Sequence, residues 1–263
     1  MVRQEPHPPK PWFGRSLTLP SHGSAGASPS QAIDWLVKVQ LHLLIYSVNH
    51  SHDSHLHLMH LQHQFQKRGK SGAILACFVG LVALSWDLEI SRIFKRLRIP
   101  GDLNKAIQLS ETFGHTAGVV AIFMALLLID LENRPKLWRA AGFTMLCGIV
   151  ANAAKIVVPR YRPHSLNESP TEILSGWDTW CMPWTGSWFD EQLRSFPSGH
   201  SATAVALGIG LTQVYPRGKW FFGMMAAAAC FQRIASSAHF LSDVMGGVLI
   251  SLLISLWFWK KSE

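Results

Sequence analysis

Charge is what this chain of 263 residues has least of: Asp, Glu, Lys and Arg together make up 15% of it, against 48% hydrophobic residues. A soluble body of that length needs more charge than this to cover its surface, which leaves a membrane reading. Cysteine is scarce as well. Of the four, Cys77, Cys147 and Cys230 lie inside apolar runs and only Cys181 in a long loop, so no disulfide framework is expected. The first thirty residues carry prolines at 6, 8, 9, 11, 20 and 29 and lack an apolar core, which excludes a secretory signal peptide and leaves targeting to the spans themselves. The net charge of +8 comes with no basic stripe interleaved with aromatics, so nucleic acid is excluded as a partner. DxD, HExxH and acidic clusters are absent, and no metal and no cofactor is expected.

What is there begins at residue 71. The mean hydropathy of +0.16 averages two unlike regions, read as separate domains: a polar, Pro- and His-rich region, 1–70, and an apolar one, 71–263. The second holds six apolar stretches: Gly72 to Trp86, Gly114 to Leu131, Leu137 to Val158, His200 to Tyr215, Trp220 to Ser236 and Val244 to Trp259. Several fall short of the ~20 residues that cross hydrocarbon, so tilting or flanking residues complete them. The expected fold is all-α, a six-transmembrane-helix bundle with a polar amino-terminal extension and an aromatic-rich outer loop.

Loop charge sets the orientation. Lys67, Arg68 and Lys70 precede the first stretch, Arg134, Lys136 and Arg139 separate the second and third, Arg217 and Lys219 the fourth and fifth, and Lys260 and Lys261 follow the sixth. If six spans alternate, all of these share one face, which the positive-inside rule makes cytoplasmic, with both termini. The expected location is a membrane of the bacterial inner-membrane type. Against that pattern, Arg92, Lys95, Arg96 and Arg98 fall in the first outer loop, 87–113, among Leu88, Ile90, Ile93, Phe94 and Leu97. That spacing fits a short cationic helix in the headgroup plane, or a solvated loop helix, ended by Pro100-Gly101.

Seven of the thirteen histidines crowd between His42 and His63, a density that either binds transition metals through imidazole or is simply solvated. Ile33 to Val48 reads as an interfacial helix interrupted by Asp34, Lys38 and His42. Met59 offers an alternative start.

Ionisable residues at the outer ends of the stretches are the informative ones, because a charge within the membrane costs a few kcal/mol unless it faces a partner or ligand. Lys155 ends the third stretch, Arg233 lies late in the fifth, and Asp243 opens the sixth. The alternating topology brings Lys155, Arg160, Arg162, His200, Arg233, His239 and Asp243 to one depth.

Three clusters carry the chemistry. Lys155 and Arg162-Pro163 set an ammonium and a guanidinium about two turns apart, able to grip different oxygens of one phosphate, or to anchor a membrane edge. Pro197-Ser198-Gly199-His200 opens a helix whose first N–H groups form an anion cradle, with His200 placed to donate a proton. In Arg233, His239 and Asp243, a helical segment over 239–243 puts the carboxylate beside the imidazole, holding one ring nitrogen and leaving the other to attack, or else merely caps a helix. Together they supply each role of a phosphoryl transfer without a metal.

These residues resemble the three-part signature K-x6-RP, PSGH and SR-x5-H-x3-D of the type 2 phosphatidic acid phosphatase family of membrane lipid phosphatases. The resemblance covers about residues 72–259 and departs at Gln232, where the family has Ser, a supporting position. It implies that His239 attacks phosphorus, Asp243 orients it, His200 protonates the departing lipid oxygen and then activates water, and Lys155, Arg162, Arg233, Ser198 and the Gly199 amide hold the phosphate, with no metal. The anion site also resembles that of the vanadate-dependent haloperoxidases, which are soluble.

Arg160 is left as a contact to a second phosphate or headgroup, or as a membrane-edge anchor; His115 and His164 as solvated or hydrogen-bonded histidines. The loop 160–196, with Trp177, Trp180, Trp184, Trp188 and Phe189, is expected to lie on the bilayer as a substrate gate or as an aromatic belt. The expected partners are a phosphorylated membrane lipid and the bilayer; the sequence holds no signal for an oligomeric state. The expected activity is hydrolysis of a lipid phosphomonoester or diphosphate at the extracytoplasmic face, with phosphotransfer to another lipid's hydroxyl, or lipid binding without catalysis, as alternatives.

Overall fold

Each of the six apolar stretches forms a helix, because each is a run of helix-compatible apolar residues closed by a charged or Pro/Gly-containing turn. The computed structural model describes residues 66–67, 69–97, 99–167, 175–182 and 190–259, all within the unit Leu61–Glu263. The His-rich leader, the segment Ile33 to Val48 and the gate residues Trp184, Trp188 and Phe189 lie outside the described residues. The chain runs through α1 (Gly69–Arg96), α2 (Gly101–Ser110), α3 (Thr116–Ile129), α4 (Arg134–Val157), α5 (Gly199–Val214), α6 (Lys219–Ala235) and α7 (Leu241–Phe258), and among the described residues there is no β-strand.

Three of these, α1, α4 and α7, are long and apolar enough to cross a membrane; α2 with the turn after it and α3 make a fourth if that pair, bent by 69°, counts as one span. The remaining two are short. α5 has 16 residues and α6 has 17, and α5 is also the most enclosed, flanked by α4, α6 and α7. Much of its inward surface is small: Gly199, Ser201, Ala202, Ala204, Ala206, Gly208 and Gly210 are buried beside Leu207, Leu211 and Val214, which lets neighbouring backbones approach closely. Large apolar side chains turn outward instead, among them Phe78, Trp86, Met124, Leu128, Trp138, Met145, Trp220 and Met224. Small residues where α5 meets its neighbours and bulky apolar ones outside suit a lipid-facing bundle, since hydrocarbon rather than water bathes the outer surface.

The expected cationic helix in the first outer loop is not a separate element. Arg92, Lys95 and Arg96 belong to the last turns of α1, which continues unbroken past Trp86, and Pro100 then caps α2. The reason is local: nothing between Trp86 and Arg96 breaks a helix, and Glu89 pairs with Arg92 one turn along at 2.6 Å.

The ends of the bundle are distinguishable. At one, Gln66 donates to the Leu256 carbonyl at 3.0 Å and Arg139 to the Phe258 carbonyl at 3.1 Å, gathering the start of α1, the start of α4 and the end of α7. α1 then runs antiparallel along α7, so that Asp87 meets Ser242 at the opposite end. The end of α4, the start of α5 and the end of α6 arrive at that same end. An apolar cleft of about 570 Å³ runs between α5, α6 and α7, from Ile234 and Leu241 to Thr212 and Lys219.

Candidate functional site

The site is built where α4, α6 and α7 lose their helical hydrogen bonds. α4 stops at Val157 before Pro159, and the chain becomes extended: the Arg160 amide donates to the Leu193 carbonyl at 2.7 Å, the Tyr161 amide to Thr179 at 2.9 Å, and the Arg162 amide to Gln192 at 2.8 Å. Thus the described pieces of the 160–196 loop are stitched by backbone hydrogen bonds to the segment that carries Arg160 and Arg162. Trp177 is 63% exposed, while Trp180 packs inward against Phe196, with ring centroids 5.1 Å apart.

Ser198 caps α5 by accepting from the Ser201 amide at 3.3 Å and hydroxyl at 2.9 Å, while its own amide donates to the Asp243 carbonyl at 2.9 Å. The Gly199 and His200 amides therefore open the first turn, at the positive end of the helix. Gly247 makes this approach possible: a Cβ there would strike the Ser198 carbonyl and lie 3.0 Å from the Ala202 amide nitrogen. Ser198 is itself fully buried, its hydroxyl oxygen engaged by Ser201.

α6 ends at Ala235, and the turn that follows folds back: the Ala238 and His239 amides both donate to the Arg233 carbonyl at 3.1 Å, with Ser237 at φ 53°. His239 precedes α7, so it and Asp243 do not share a helical face as the i,i+4 reading supposes. They meet because Asp243, in the first turn of α7, reaches back to cap it: its Oδ2 accepts from the Phe240 amide at 2.8 Å and lies 3.8 Å from His239 Nδ1. Burial pushes the His239 imidazole down to about 4, against the opposing pull of Asp243, so the ring is neutral at pH 7.

Arg160 is neither a headgroup contact nor a membrane-edge anchor. It is completely buried, and its guanidinium donates to Asp243 at 2.5 Å, Asp87 at 2.7 Å, Ser242 at 2.7 Å and Thr179 at 2.9 Å, sandwiched between the rings of Phe240 and Trp180. Asp87 also accepts from the Ser242 hydroxyl and amide. Ser195 completes the shell of Asp243 with a 2.6 Å bond.

The other half of the site gathers cations. Lys155 lies within electrostatic range of Arg162, Arg194 and Arg233, and Arg162 of Arg194 and Arg233. Lys155 and Arg233 are buried, and among the described residues Arg162 Nε, His200 Nε2 and His239 Nδ1 are buried nitrogens with no hydrogen-bond partner. Four cations gathered beside buried nitrogens without partners have the charge to attract an anion.

Two participants carry no sequence motif. Arg194 enters the cluster from the loop before α5. Glu111, in the short 3-10 turn Glu111–Phe113 at the α2–α3 bend, pairs with Arg233 at 2.6 Å and lies 3.7 Å from His200 Nε2, whose ring faces that of His115 at 5.7 Å. Gln232, the departure from the family pattern, binds this turn to α6: its amide donates to Glu111 at 3.1 Å and Gln108 at 2.9 Å and accepts from Arg233 Nε at 2.5 Å. His164 contacts the Ser237 carbonyl at 3.3 Å, at the edge of the site. Among the described residues no group of three or more His, Cys, Asp and Glu is arranged to hold a metal.

The structure is similar to that of LpxE from Aquifex aeolicus, at 21% identity over 66% of this chain and 94% of that one, with a TM-score of 0.46. It is also similar to a transmembrane PAP2 type phosphatidylglycerolphosphate phosphatase from Bacillus subtilis, at 17% identity over 71% of this chain and 94% of that one, with a TM-score of 0.45. No curated protein matches the sequence. The family model of the PAP2 superfamily matches residues 136–263. That segment, just under half of the chain, holds all three motifs, from Lys155 to Asp243, and over it the chain is similar to the PAP2 superfamily.

Proposed function

We propose that this protein is an integral membrane phosphatase that hydrolyses a lipid phosphomonoester or diphosphate through a phosphohistidine formed on His239. One observation carries the reading: Lys155, Arg162, Arg194 and Arg233 converge within electrostatic range beside two histidines, each of which has a carboxylate within 4 Å. Such a constellation suits a group bearing several negative oxygens and a transferable phosphorus. Asp243 faces Nδ1, which leaves His239 Nε2 as the attacking atom. Nε2 bonds to phosphorus as the bond to the lipid oxygen breaks, and His200 passes a proton to that oxygen. His200 then takes a proton from water as the water displaces His239, releasing inorganic phosphate. The four cations and the Gly199 amide balance charge on the non-bridging oxygens, and no metal is required.

The six apolar helices, α1 and α3 to α7, are read as six spans, with the basic residues Arg134, Lys136, Arg139, Arg217 and Lys219 at the cytoplasmic end and the site at the extracytoplasmic one. The cleft between α6 and α7 begins at Ile234 and Leu241, beside Arg233 and His239, and suits a hydrocarbon tail.

The test is phosphate release by purified protein from a panel of lipid monophosphates and diphosphates in EDTA. Release by the wild type and its loss in His239→Ala, with lipid binding retained, support the proposal. Loss of release on chelation counts against the metal-free step, and labelled phosphate appearing on an added lipid alcohol makes the protein a transferase.

A further inference from the structure

We infer that Asp87 and Arg160 are positioning residues for the catalytic pair: Asp87 anchors the Arg160 guanidinium, which fixes one oxygen of Asp243 and thereby presents the other to His239. This rests on the proposed role of His239. Asp87 comes from α1, before the segment that matches the family, and no motif includes it. The geometry is complete. All three charged side chains are fully buried, Arg160 spends one nitrogen on each carboxylate, Ser242 bridges Asp87 and Arg160, and Thr179 takes the third guanidinium nitrogen.

A purely structural reading fits poorly. Burying an ion pair contributes little net stability, and well-packed apolar residues usually serve as well, so an arrangement of two carboxylates on one guanidinium calls for a use. The carboxylate arrangement supplies one. Asp243 has two oxygens, and Arg160 occupies Oδ1 alone, leaving Oδ2 to Ser195, the Phe240 amide and His239. Without Asp87 the guanidinium is free to turn both its ends on Asp243, cancelling more of the charge that stabilises a positive imidazole. The groups facing His239 are Asp243 from α7, Lys155 from α4, Arg162 from the loop after α4 and His200 from α5, with the Arg233 carbonyl holding its backbone from α6. Two of these are cations that oppose a charged ring, and Asp243 is what offsets them.

The clamp therefore tunes as well as holds, and substitutions at its two ends have opposite signs. In full-length protein with 15N-labelled histidine in detergent micelles, the His239 titration midpoint is followed by NMR, alongside kcat and KM for lipid phosphate hydrolysis. Asp87→Asn is expected to lower the midpoint by roughly half a unit or more and kcat about tenfold, with KM within about twofold. Arg160→Gln is expected to raise the midpoint. Arg160→Lys, which keeps the charge but not the fork, lowers kcat while moving the midpoint little, and serves if Arg160→Gln does not fold. An unchanged midpoint in Asp87→Asn, or shifts of one sign in Asp87→Asn and Arg160→Gln, overturns the inference. If the wild type hydrolyses no lipid phosphate, the proposed function fails, while the titration still decides the clamp.

Discussion

Two histidines border the site, and their carboxylates hold them in different ways. His239 and Asp243 come from one short stretch of chain and are sealed, with side chains 2% and 0% exposed; His200 and Glu111 come from α5 and the α2–α3 bend and remain about a third exposed. Asp243 is fully occupied by Arg160, Ser195 and the Phe240 amide, whereas Glu111 is shared with Arg233 and Gln232. The contrast suits the roles proposed for the two histidines. A nucleophile gains from being rigid and dry, and an acid that must exchange protons with water and a leaving group gains from being reachable.

Breaking the pairs one at a time sharpens this. His239→Ala is expected to cost roughly 10³-fold or more in turnover on every substrate, since no other group replaces the bond to phosphorus. His200→Ala should cost about 10²- to 10⁴-fold on a lipid phosphate, and Glu111→Gln less. Both losses should shrink when a nitrophenyl phosphate replaces the lipid, because a good leaving oxygen needs no proton. Equal losses on the two substrates would remove His200 and Glu111 from leaving-group protonation.

Gly247→Ala is expected to be next in size. The added methyl meets backbone rather than a flexible side chain, so α5 and α7 must separate, at about 1–3 kcal/mol. Thermal melting in detergent should report the lower midpoint, with reduced turnover as the Ser198 cap shifts away from Asp243.

The sealed pair also sets a pH dependence. His239 is held near 4 by burial, below the 6.5 of a free imidazole, so the unfolded chain takes up this proton first on acidification. This contribution to stability is intact above about pH 6.5, falls as pH drops, and is fully lost below about 4. Melting scans from pH 7 to pH 4.5 should fall more steeply in the wild type than in His239→Gln.

The smallest effect is expected from filling the cleft. Gly223 lines it and a Cβ there meets nothing within 4 Å, so Gly223→Trp should fold normally. KM should rise several-fold for long-tailed substrates and stay put for short-tailed ones; no dependence on tail length would sever the cleft from the site.

Much of this arrangement is legible in the sequence because it is local. The helices follow from apolar runs and their closing turns, and Lys155, Arg162, His200, Arg233, His239 and Asp243 declare themselves as ionisable groups where lipid penalises them. Arg160 was equally visible but not its use, because its partners lie 73 and 83 residues away and no periodicity links them. Glu111 reads as an ordinary acidic residue until the α2–α3 bend turns it toward α6. Arg92 and Arg96 mislead in the opposite sense, since their cationic pattern conceals the fact that nothing there stops α1. The pairing of i and i+4 at His239 and Asp243 reaches the right neighbours from the wrong backbone.

The position of Asp87 on the first helix bears on how such a chain is put together. Helices that enter a bilayer in the order of synthesis leave this carboxyl group facing lipid or a transient partner until α4 has delivered Arg160 and α7 has delivered Ser242, the last of the set. Docking of the last helix and completion of the clamp on Asp243 are thereby a single event.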